Sequence, residues 1–152
     1  MLKFKMNRFA AAAIAVAAFG ASATPALAGQ CPPDQQKTNA LADRATAPKG
    51  VADDLLGSID LGKEIGVSGR DLRLRRLVVQ PGGVVPFHSH EGRPALIITI
   101  AGEITEHRTS CAVPIVHRAG ELSREADGIG HYWVNHSNKP AVLLSADVKA
   151  AE

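Results

Sequence analysis

The 152-residue chain has no basic excess beyond its first residues, no apolar run long enough to cross a bilayer, no sustained helical period and no internal repeat. Lys3, Lys5 and Arg8 precede the apolar stretch FAAAAIAVAAFGA (9–21), which leaves 14 basic against 15 acidic residues in the remainder. So balanced a remainder offers no electrostatic footprint for nucleic acid or for an anionic membrane. The apolar stretch falls short of the about 20 residues a spanning helix needs, which argues against a retained anchor. Its order is instead that of a secretory leader: basic, then apolar, then SATPALAGQ (22–30), where Ala26-Leu27-Ala28 fits the small-x-small cleavage rule. The expectation is a signal peptide over 1–28, cleavage after Ala28, and a periplasmic or secreted protein with no membrane contact once the leader is removed. A lipid anchor is the minor alternative, because AGQC lacks the small residue that lipoprotein signals place just before their cysteine.

Cysteine is scarce as well: only Cys31 and Cys111. An even pair in an exported protein suggests a disulfide, here tying an N-terminal arm to a loop of the domain; the alternative is two free thiols. What remains after the leader is one domain by size, long enough to bury about two-thirds of its unfolded surface. Residues 29–54 have weak periodicity and read as an irregular arm. From 55 to 150 the pattern is period two. LLGSIDL (55–61), DLRLRRLVVQ (71–80), ALIITIAG (95–102) and AVLLSADV (141–148) are strand-like, with PGG (81–83) as a turn and further short runs between Gly-, Pro- and Asn-bearing breaks. Many short strands without long helices predict an all-β sandwich or barrel.

His88 and His90 are one residue apart, so on a strand both imidazoles project from one face and can converge on a cation at about 2.0–2.1 Å per bond. The surroundings resemble the cupin superfamily of small jelly-roll barrels. Its first motif runs Gly, five residues, His-x-His, three or four residues, Glu, six residues, Gly. Here Gly82, His88-Ser89-His90 and Gly102 keep that spacing, with Ala95 where the glutamate would stand. The second motif runs Gly, five residues, Pro-x-Gly, two residues, His, three residues, Asn. Gly120, Ala126-Asp127-Gly128, His131 and Asn135 keep it, with Ala126 in place of the proline. The resemblance implies a single cupin barrel whose metal ligands are His88, His90 and His131, the fourth, carboxylate ligand being absent. Glu91, next to His90, faces the other way on a strand, and Glu103 lies beyond the glycine turn, so neither replaces it. Three imidazoles would leave an open face for exogenous ligands. The alternative is a metal-free cup.

Parity places Ala95, Ile97, Thr99 and Trp133, the only tryptophan, on the pocket wall, with ordinary core packing the alternative for Trp133. His107, His117 and His136 read as strand-edge or solvent-facing. Arg73 and Arg75 share a face expected to coat the outer surface. No general base is evident near the ligands. The resemblance therefore implies a divalent ion, Fe(II) ahead of Mn, Ni, Cu or Zn, in an oxygenase similar to the quercetin- or thiol-dioxygenase branch acting on a small molecule. The second reading is a non-catalytic periplasmic module that binds a small ligand or metal. A homodimer is expected from the resemblance alone.

Overall fold

The alternation of apolar and polar residues produces an almost entirely β structure in the computed structural model, which describes residues 29–151. Its elements are β1 (Lys49–Asp60), α1 (Leu61–Ile65), β2 (Arg70–Ser89), β3 (Ala95–Ala101), β4 (Glu103–Arg108), β5 (Ile115–Arg118), β6 (Leu122–Glu125), β7 (Gly130–Val134) and β8 (Ala141–Ala150). The expected leader over 1–28 lies outside the described residues. No helix among the described residues is long and apolar enough to cross a membrane.

The strands are antiparallel and run β5-β4-β7-β2-β8-β3-β6, with β1 added to β2. The segment joining β5 to β6 bonds back to β3, through Thr99 N to Glu121 O (3.1 Å) and Gly120 N to Thr99 O (2.8 Å), so the sheet nearly closes into a barrel. β1 begins at Lys49, inside the segment 29–54 expected to be an arm, because its residues find partners along the exposed edge of β2. The remaining arm is held across the β4–β5 connection. Lys37 N donates to Ser110 O, Ala40 N to Thr109 O, and Cys31 is disulfide-bonded to Cys111.

The PGG stretch is not a chain-reversing turn but a corner inside the 20-residue β2. Up to Val79 the strand pairs with β8; from Val84 it pairs with β7. Gly82 takes φ 69°, and a Cβ on Gly83 would lie 2.7 Å from the Gln80 carbonyl oxygen. Only glycines allow the strand to switch neighbours so abruptly. Asn135 fixes the other side of the corner: its amide donates to the Val79 and Lys139 carbonyls, each at 2.8 Å.

The barrel interior is divided. Leu77 and Val79 of β2, Ala141 and Leu143 of β8, Ile97, Ile104 and Trp133 make one apolar core. Burying a side chain the size of leucine contributes about 1.5–3 kcal/mol. The other inward positions carry Glu106, Arg108, His117, Ser123, Glu125, His131, Ser145 and Asp147, all buried. Buried polar groups on this scale must be paired, and their pairing builds the site.

Candidate metal centre

β2 ends at His88-Ser89 and β7 begins at Gly130-His131, and their register sets His88 directly opposite His131. His90, just past β2, is drawn in by its backbone N–H, which donates to Ile129 O at 2.8 Å. The three Nε2 atoms stand 3.0–3.1 Å from one another. His90 and His131 are buried and His88 half-buried.

The opposite nitrogen of each ring fixes its tautomer. His88 Nδ1 lies 2.9 Å from Pro86 O and His90 Nδ1 lies 2.8 Å from Arg93 O. A carbonyl only accepts, so both Nδ1 atoms carry the proton. His131 Nδ1 is 2.6 Å from Glu106 Oε1. The Trp133 indole nitrogen is also 3.1 Å from that Nδ1, but indole only donates, and the shorter contact to a carboxylate assigns the ring proton to Nδ1. All three Nε2 atoms therefore present lone pairs to one point. Three converging acceptors repel each other unless a cation lies among them, and this donor set of neutral imidazoles suits a divalent transition ion. Burial pushes His88 and His90 each down to about 4, so both remain neutral at physiological pH.

Beneath His131 lies a fully buried ionic network. Glu106 accepts from His131, from His117 Nε2 (2.9 Å) and from Nε and Nη2 of Arg108. Burial alone would raise the Glu106 carboxyl, but the two histidine bonds and the charge of Arg108 hold it well below the usual carboxylate range. Arg108 also bonds Glu125 at 3.2 Å. Burial, then repulsion from Glu106, pushes Glu125 up instead.

Next to the histidines opens a cavity of about 210 Å³. Leu77, Ile97, Trp133 and Leu143 form its apolar wall, and Asp53, Arg75 and Arg93 stand nearer solvent. Ile97 and Trp133 thus face the cavity. Ala95 and Thr99 do not, although both are buried: they lie on the inward face of β3 but away from the opening, Ala95 between Glu125 and Asp147 of the neighbouring strands. Three other expectations are corrected. His117 is fully buried, not solvent-facing, because Glu106 binds it. Arg73 and Arg75 point inward, because Asp147 on β8 and Asp53 on β1 neutralise them there. A carboxylate does sit against a ligand-type histidine: Glu106, overlooked beside His107. Ile104 defines the inward parity of β4, and Glu106 and Arg108 share it, so the signal was present. His107 has the outward parity and stacks on Tyr132, while His136 is exposed as expected.

A family model described as a cupin domain matches residues 75–147. Residues 75–147 are a cupin domain. Among curated relatives, this cupin is 46% identical over 84 residues to a germin-like protein of Morus alba, covering 53% of this chain and 40% of that one. It is 34% identical over 82 residues to an auxin-binding protein of Prunus persica, covering 52% and 39%. The chain thus spans about two-fifths of the length of these relatives. Solved structures agree on the fold. One titled a predicted oxalate decarboxylase, from Thermotoga maritima, has TM-score 0.54 at 21% identity and covers 72% of this chain and 91% of that one. An oxalate oxidase in complex with glycolate has TM-score 0.51 at 20% identity, covering 75% and 58%.

Glu106→Gln removes the only ionised acceptor shared by His131, His117 and Arg108. Breaking a buried ion pair costs about 3–5 kcal/mol. Urea unfolding should show a loss of that order, against under about 0.5 kcal/mol for Glu103→Gln at the exposed start of the same strand; equal losses would refute the network's role. The two depressed histidines set a pH dependence. The unfolded chain binds protons on them first, so metal-free protein should be fully stable above about 6.5 and lose stability as pH falls towards about 4. Denaturation midpoints across that window should fall less steeply in the His88→Gln/His90→Gln double variant, and an unchanged slope would count against the assignment.

Proposed function

We propose that this protein is an exported cupin that binds one divalent metal ion through His88, His90 and His131 and uses it in oxidoreductase chemistry on a small molecule, an Fe(II)-type oxygenase being the favoured form. The observation that carries the reading is the convergence of three unprotonated Nε2 atoms 3.0–3.1 Å apart. Three neutral imidazoles so placed would hold a divalent transition ion, Fe(II), Mn, Ni, Cu or Zn, and leave an open face for a further ligand. Such an ion would supply Lewis acidity and one-electron chemistry at its open face.

The chain's own residues do the rest. Pro86 O and Arg93 O orient His88 and His90, and Glu106 orients His131 and supplies negative charge behind it. The apolar wall of Ile97, Trp133 and Leu143 limits water at the open face and bounds a small substrate. The disulfide and the leader-like order of residues 1–28 support export, and the names of the germin-like and oxalate oxidase relatives support an oxidase-type activity. Ala95 in place of the motif glutamate favours a second reading, a non-catalytic binding module.

Elemental analysis of wild type beside His131→Ala, purified without chelator, should find about one transition ion per wild-type chain and none in the variant. Oxygen uptake on a small-acid and phenol panel by the loaded protein then separates oxygenase from binder. Absence of metal in wild type, even after reconstitution, would refute the metal centre.

A further inference from the structure

Along β2 and β8 the inward side chains meet in register: Leu77 opposite Leu143, Arg75 opposite Ser145, Arg73 opposite Asp147. The first pair is apolar and the third is an ion pair. The middle pair lines the cavity beside His88 and His90, and its bonding is incomplete. Ser145 is 1% exposed, yet its Oγ has no hydrogen-bond partner. Arg75 Nε is buried and equally without one. Its Nη1 is held by Asp53 at 2.5 Å, while the Asp147 carboxylate lies 4.0 Å from Nε, outside hydrogen-bond range. Asp147 is already bound by Arg73 (2.8 Å) and Arg93 (2.7 Å). Two buried donors side by side, unmatched by any acceptor of the chain, are costly unless a ligand supplies one.

The geometry points to a carboxylate-binding subsite made of Arg75 Nε–H and Ser145 Oγ–H, specific for a small acid with a short apolar body. Arg75 and Arg93 both line the cavity and bring positive charge to it, which suits an anionic ligand. The walls next to the subsite, Leu77, Ile97 and Leu143, take a hydrocarbon segment. A bare dicarboxylate such as oxalate has none to offer and would leave that wall in contact with water. The subsite deepens the proposed function by naming its substrate class, and only the placing of the acid's far end beside the three histidines rests on that reading.

The test is calorimetric titration of the full exported protein with butyrate, butyramide and oxalate, as purified and after chelation. Wild type should bind butyrate at least about tenfold more tightly than butyramide, the preference expected of charge-assisted bonds, and more tightly than oxalate. Ser145→Ala should weaken butyrate about three- to tenfold at an unchanged melting temperature, because Oγ makes no bond within the protein. Arg75→Gln should abolish the preference over butyramide. Equal binding of butyrate and butyramide, or a preference that survives both substitutions, would overturn the subsite. Metal content of the same samples separates the two ideas. A carboxylate preference in protein that takes up no metal would sustain the subsite while removing the metal centre, and metal uptake without the preference would overturn the subsite alone.

Discussion

The buried Glu106 carboxylate is the constraint around which the interior is organised. An ionised group fully removed from water is tolerated only when donors surround it, and here His131, His117 and Arg108 converge on it. Each partner then has its own consequence. His131 is held with Nδ1 protonated and Nε2 free. Arg108 requires more negative charge than its shared bond provides, which brings in Glu125 and Ser123 on β6. His117 packs its ring against Trp133, with centroids 4.6 Å apart, and so joins the ionic half of the barrel to the apolar half.

The same logic applies at the mouth. The loop after β2 turns at Gly92 and returns Arg93, whose carbonyl accepts from His90 Nδ1–H while its guanidinium binds Asp147. One short loop thus sets both a ligand tautomer and the cavity's charge. Position 95, where the motif has glutamate, lies between Glu125 and Asp147 in neighbouring strands, both buried. A third carboxylate there would stand between two others. Alanine avoids that repulsion, and negative charge reaches the centre through His131 from Glu106 instead of by coordination.

Much of this was legible in the residues. Period-two alternation located β2, β3 and β8, and the His-x-His spacing with His131 at its motif distance brought together the three rings that the β2–β7 register places in contact. The cysteines that read as a pair are joined in the structure. What was not legible shares one cause: a polar or charged side chain on a strand looks water-facing when its partner lies on another strand. Arg73, Arg75 and His117 face inward because each has its partner on another strand, Asp147 for Arg73, Asp53 for Arg75 and Glu106 for His117, and composition carries no record of such partners. Parity did carry it on β4, where Ile104 marks the inward face. The PGG corner was missed for a related reason, since glycines that let a strand change neighbours have the same sequence signature as glycines that reverse it.

The central claim is that all three rings are protonated at Nδ1 and offer Nε2 to a common cation. Nitrogen-15 NMR of the imidazoles at neutral pH in metal-free protein tests it most directly. The account predicts the Nδ1–H tautomer for His88, His90 and His131, with the Nε2 signals of all three, and of no other histidine, moving when one equivalent of diamagnetic zinc is added as a probe. An Nε2–H tautomer at any of the three, or zinc shifts confined to His107 and His136, would contradict it.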